Sequence, residues 1–141
     1  MRCGQIMKFS VKCVSEQDPI HHAAALMRDE NIGFVPVCSA DGKVVGVVTD
    51  RDIVIRAAAD RGSLDAPIST VMTRDLVTCG ANDSLSVAEE RMRDRRKSRI
   101  LCVDEQGKAV GVISLSDLAR NDRAGRIGRM LRDVTTREAR T

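Results

Sequence analysis

A chain of 141 residues, 43% of them hydrophobic, is one ordinary domain in length and can bury a real core. Its formal charge of +3 lacks the density of a nucleic-acid face, and with no Trp, no Tyr and two Phe it offers no platform for stacking bases. Its start carries no long apolar run, which predicts neither a secretion signal nor a membrane span, and five cysteines without a CxxC predict free thiols in a reducing cytoplasm.

Residues 1–14 read as a short lead and an extended stretch in which Phe9, Val11 and Cys13 alternate with Ser10 and Lys12. Asp18 and Pro19 then predict a helix start, since Asp can cap free N–H groups and Pro fits the first position. Ile20, Ala23, Ala24 and Met27 follow at helical spacing as one buried stripe, and the helix ends near Asn31 to Gly33. Residues 34–38 are a buried strand, Asp41 and Gly42 a hairpin turn, and 44–48 a second, antiparallel strand. A closing helix occupies 49–59, and residues 62–70, with Pro67, are the linker.

The order then repeats. Shifting the chain by 65 residues aligns Met7 with Met72, Asp18 with Asp83, Met27-Arg28-Asp29 with Met92-Arg93-Asp94, and GVVTDRD at 46–52 with GVISLSD at 111–117, an internal duplication without a gap. The second copy has an extended stretch at 76–79, Asp83 as cap, Leu85, Ala88 and Met92 on a buried face, strands at 99–103 and 109–113 around Gly107, and a last helix opening at 114–120. Beyond it Ile127, Met130, Leu131 and Val134 make an apolar stripe among six arginines, seven counting Arg120, which predicts an amphipathic helix docked on the core or across a dimer. The division is therefore 1–61, linker 62–70, 71–122, and an Arg-rich tail 123–141.

Cys38 and Cys102 lie within apolar strand patterns, where cysteine serves as a small buried hydrophobe; redox sensing is the alternative. His21 and His22 are adjacent in a first helical turn and cannot form an i, i+4 metal pair. No Ser, His and acid set, no paired-carboxylate spacing and no GxxxxGK loop stands out, so catalysis is not expected.

The two repeated segments, MKFSVKCVSEQDPIHHAAALMRDENIGFVPVCSADGKVVGVVTDRDI and VMTRDLVTCGANDSLSVAEERMRDRRKSRILCVDEQGKAVGVISLSDL, resemble two CBS motifs in the tandem arrangement called a Bateman module. The resemblance covers residues 6 to about 120 and implies an α+β fold, two β-α-β-β-α units packed by a pseudo-twofold. It further implies a stand-alone regulatory protein, a homodimer that signals to a protein partner and binds AMP, ADP, ATP or S-adenosylmethionine in two clefts, with no cofactor required, no nucleic acid and no membrane. The alternative is a ligand-independent interaction module with vestigial clefts, its contact made by the C-terminal helix.

Thr49 and Ser114 open helices whose N-termini suit a phosphate, and Asp52 and Asp117, three residues on, can accept from ribose hydroxyls. TxxD and SxxD are equally capping boxes, and the residues alone leave both readings open. By position, the resemblance places Ser98, Arg99, Ser114, Ser116 and Asp117 in the main cleft with Met7, Lys12, Ile32 and Gly33. The second cleft takes Thr49, Arg51, Asp52, Met72, Val77, Lys97 and Ser98. Arg99 could clamp a phosphate, and Phe34 stands at its place in the first copy, so the Asp117 cleft is expected to be the tighter. The family's usual strand proline is present as Pro36 but replaced by Leu101 in the second copy, which should alter backbone hydrogen bonding there.

Overall fold

The computed structural model describes residues 1–9, 11–121 and 126–139, with side chains described in the last helix for 128–135. The chain forms two compact units: residues 11–76, called here the first unit, and residues 1–10 together with 77–141, the second. In the first, β1 (Val14–Ser15) leads to α1 (Ile20–Glu30), β2 (Phe34–Cys38), β3 (Val44–Thr49) and α2 (Asp50–Ile53), which continues as a π-helical turn, Val54–Ala58. The second repeats this with β4 (Thr78–Cys79), α3 (Leu85–Arg95), β5 (Arg99–Val103), β6 (Ala109–Ser114) and α4 (Leu115–Ala119), then adds α5 (Arg126–Ala139). Mixed α+β architecture with tandem units is thus as expected.

Each sheet has three strands, β1 parallel to β2 and β2 antiparallel to β3, with β4, β5 and β6 arranged alike. Pairing keeps the repeat's offset, since Val14 faces Val37 where Cys79 faces Cys102, and Phe34 faces Thr49 where Arg99 faces Ser114. Gly42 and Gly107 take φ of 84° and 81° in the hairpin turns, a region closed to most side chains. Leu101 donates its N–H to Val77 O at 3.2 Å, a bond that Pro36 has no hydrogen to make.

Helix starts differ from expectation. Asp18 does not cap α1: its carboxylate accepts from Ser15 N at 2.9 Å and closes the preceding turn, as Asp83 does with Gly80 N at 2.7 Å. The free N–H groups of α1 are met instead by chain returning from beyond the motif, Ile20 N to Ala66 O and His21 N to Leu64 O, both 2.9 Å. Leu85 N, at the start of α3, donates to Met1 O at 2.7 Å in the same way. Residues 62–70 are therefore a packed part of the first unit, with Ile68 fully buried, as well as the connection between motifs.

The cores match position by position. Val14, Ile20, Ala23, Met27, Val35, Val37, Val48 and Ile68 fill the first, and Cys79, Leu85, Ala88, Met92, Ile100, Cys102, Ile113 and Cys3 fill the second. Ala24 is half-buried rather than buried, and among the described residues 9 and 11–13 the expected alternating strand is absent: Phe9 is 68% exposed and Cys13 exposed, because regular strand pairing starts only at Val14, while Ser10 lies outside the described residues. In α5, Met130 and Val134 are buried, Met130 within the second unit's core, while Leu131 is 44% exposed, so the stripe is narrower than its spacing suggests. The Ile127 side chain lies outside the described residues.

Candidate functional site

Each unit turns a corner from its last hairpin strand into a short helix, and there the hydroxyl and the aspartate of the repeat meet. At the first corner Thr49 Oγ1 accepts from Asp52 N at 3.1 Å while Asp52 Oδ2 accepts from Thr49 N at 3.0 Å. At the second, Ser114 Oγ accepts from Asp117 N at 3.3 Å and Asp117 Oδ2 accepts from Ser114 N at 2.9 Å. Both sequences therefore build complete capping boxes. Each corner is tied to the residue that precedes the first hairpin strand, by Asp50 N donating to Gly33 O at 3.1 Å and Leu115 N donating to Ser98 O at 3.0 Å.

The cap engages one carboxylate oxygen, and the other distinguishes the corners. Asp52 Oδ1 accepts from Thr73 Oγ1 at 3.1 Å and has Arg56 at 4.0 Å. Asp117 Oδ1 has Arg120 at 3.5 Å and Lys8 at 3.9 Å. The two aspartates are only 8% and 4% exposed, whereas the Lys8 and Arg120 side chains are 67% and 68% exposed, so the acids are fixed and the cations free to swing. Such exposed pairs are worth about 0–1 kcal/mol each and can be traded for a ligand's phosphate at little cost. With five residues, α4 aligns too few peptide dipoles for its end to attract an anion strongly, so attraction at this corner rests on side chains.

Of the residues expected around Asp117, Ser98, Arg99, Ser114, Ser116 and Met7 share its unit. Ser116 Oγ lies 2.8 Å from Ser114 Oγ, Arg99 pairs with Ser114 across the hairpin and is exposed, and Met7 covers Gly111, where an added Cβ would meet its Sδ at 2.5 Å. Lys12, Ile32 and Gly33 belong to the first unit, Lys12 in an ion pair with Glu30. Of the Asp52 set, Thr49, Arg51 and Met72 share its unit, while Val77, Lys97 and Ser98 belong to the second.

Lys8, Arg120, Thr73 and Arg56 were missed. Lys8 and Thr73 had a signal: they are one residue past the aligned Met7 and Met72 and make the same bridge to the sheet edge, Lys8 to Val112 and Thr73 to Val47. Arg120 and Arg56 are not repeat equivalents, so nothing marked them. His21 and His22 are exposed, and among the described residues no group of three or more His, Cys, Asp or Glu is placed to hold a metal ion. No helix among those residues is long and apolar enough to cross a membrane.

The sequence matches the CBS domain family twice, over residues 3–58 and 68–123, with the same 65-residue offset. This chain belongs to the CBS-domain family. As a CBS pair it is 38% identical over 115 residues to the CBS domain-containing protein YhcV of Bacillus subtilis, covering 82% of this chain and 81% of that protein. It is 33% identical over 114 residues to the protein MJ1404 of Methanocaldococcus jannaschii, of whose length it spans 27%. Among solved structures, the CBS domain protein PAE2072 from Pyrobaculum aerophilum, complexed with AMP, is similar to this CBS pair with a TM-score of 0.78 and 28% identity, over 96% of this chain and 99% of that one.

Proposed function

We propose that this CBS pair is a regulatory, non-catalytic module that binds an adenosine-containing ligand, AMP, ADP, ATP or S-adenosylmethionine, and reports it to a protein partner, working as a homodimer in the cytoplasm. The carrying observation is the Asp117 corner: the cap fixes Oδ2, and Oδ1 stays oriented beside two exposed cations. A carboxylate held this way can accept from ribose hydroxyls while Lys8, Arg99 and Arg120 neutralise phosphate, with Ser114 and Ser116 as further donors. AMP bound to the similar protein PAE2072 supports the ligand class. The Asp52 corner, with a threonine in place of the lysine and Phe34 in place of the arginine, is the weaker site.

A second reading is favoured by the same caps. Because both aspartates are already satisfied by their own backbone, the corners could be structural and the module an interaction surface that needs no ligand. A thermal-shift series with AMP, ADP, ATP and S-adenosylmethionine, with GMP as control, separates the two. A ligand at 100 times its dissociation constant stabilises by about 2.7 kcal/mol, several degrees in the midpoint for a chain of this size. The regulatory reading expects that shift for at least one adenosine compound and its loss in Asp117→Asn, which keeps a capping oxygen. No shift with any of them, in a folded protein, leaves the interaction reading standing.

A further inference from the structure

Three of the five cysteines meet in the core of the second unit. Cys79 and Cys102 are directly opposed on adjacent parallel strands with their sulfurs 3.5 Å apart, and Cys3, in the 3-10 turn Cys3–Gln5, brings a third thiol into the same core cluster. Cys102 and Cys3 are 0% exposed and Cys79 2%. The equivalent positions of the first unit hold Val14, Val37 and Ile68, equally buried, so aliphatic side chains suffice for packing at this place in the fold. Neighbouring strands lie about 4.8 Å apart, within the separation a disulfide can span.

We propose that Cys3, Cys79 and Cys102 form a thiol–disulfide relay, in which oxidation by a low-molecular-weight disulfide enters at Cys3 and ends as a Cys79–Cys102 disulfide stapling β4 to β5. Cys3 is the entry because Cys79 and Cys102 are held in the paired strands β4 and β5, whereas Cys3 lies outside the sheet on a 3-10 turn tied to the unit by separate backbone bonds, Cys3 N to Asp83 O and Gly4 N to Ala81 O among them. Segments outside a sheet open locally at lower cost than global unfolding. Once exposed, the Cys3 thiolate attacks one sulfur of the disulfide RSSR; a Cys3–SR bond forms, and RS⁻ leaves and takes up a proton as RSH. On closing, Cys79 attacks the Cys3 sulfur, forming Cys3–Cys79 and releasing the second RSH. Cys102 then attacks the Cys79 sulfur, and Cys3 departs as a thiol with the proton that Cys102 gave up. In balance, two protein thiols lose two electrons and two protons, and RSSR is reduced to two RSH.

The test treats the full chain with oxidised glutathione at neutral pH, quenches with acid, alkylates the denatured protein and maps its peptides without reduction. Exposed Cys13 reports that the oxidant has acted. The expected product is a peptide joining Cys79 to Cys102, lost on adding dithiothreitol, with a raised unfolding midpoint. Cys3→Ala slows its appearance at least about tenfold. Cys102→Val, which installs the first unit's own residue, stops the reaction at Cys3–Cys79. If all three thiols stay free after Cys13 is fully modified, the cluster is packing alone and the proposal fails. If Cys79–Cys102 forms at the unaltered rate in Cys3→Ala, the relay fails.

Discussion

Lys8 and Thr73 stand at the same place in the two copies, each beside the aspartate of its corner, and the difference between them is one full charge. If that charge serves a phosphate, Lys8→Met lowers affinity for AMP by about 5–10-fold and flattens its dependence on salt, while Thr73→Val changes neither at the Asp117 corner. Titration calorimetry at low and high ionic strength reads both. The buried thiols give a second residue-scale expectation. Contact with the Cys102 thiol pushes Cys79 up to about 12 from 9.0, opposed by a lowering from the Cys3 thiol and aided, to a lesser extent, by burial. Because the folded state holds that proton more tightly, the associated stability is complete below about pH 9 and is lost as pH rises toward 12. Urea midpoints should fall over that range, and less steeply in Cys79→Val.

At the scale of elements, the crossing segments dictate where glycine is needed. A Cβ on Gly46 in β3 would lie 2.6 Å from Thr73 O, a backbone atom of the strand-like segment bridging it, besides striking Met72 Cε. On Gly111 in β6 the close atoms are side-chain atoms of Met7, with Lys8 O at 3.0 Å. Gly46→Ala should therefore cost about 2–3 kcal/mol and Gly111→Ala about 1, since a methionine can swing where a carbonyl cannot. Helix ends give the opposite sign. α1 and α3 both stop at a left-handed residue, Asn31 and Arg96, each with φ 53°. Asparagine tolerates that region and arginine does not, so Arg96→Gly should stabilise by about 0.5–1 kcal/mol. Chemical denaturation measures all three.

For the whole molecule, the main consequence is that packing does not follow chain order. Residues 1–10 complete the second unit, bringing Cys3 and Met7 to its core and Lys8 to its corner, while the segment from Ile68 to Thr73 does the same for the first. Removing residues 1–9 should strip protection from amide exchange within 77–121 and leave 11–76 largely protected. The loss of two buried side chains amounts to about 3 kcal/mol or more, enough to lower the midpoint visibly. Equal loss in both halves would mean that the units do not open independently.

Much was legible because it is local or repeated. Alternation and helical spacing located β2, β3, β5, β6, α1 and α3. The 65-residue offset carried the architecture, and the hydroxyl-to-aspartate spacing marked both corners, since a capping box is closed within four residues. What required the tertiary structure depends on partners far away in the chain. Asp18 reads as a cap from its neighbours, yet the helix is met by Ala66 and Leu64, and no local pattern can show a carbonyl arriving from 40 or more residues beyond. The same holds for Lys8 beside Asp117 and for three thiols from positions 3, 79 and 102. Sequence alone determined the hairpin strands, the two long motif helices and the corners, because short-range sterics and hydrogen bonds decide them. Only the tertiary structure decided which remote segment completes each unit, because burial and long-range hydrogen bonding are properties of the assembled fold.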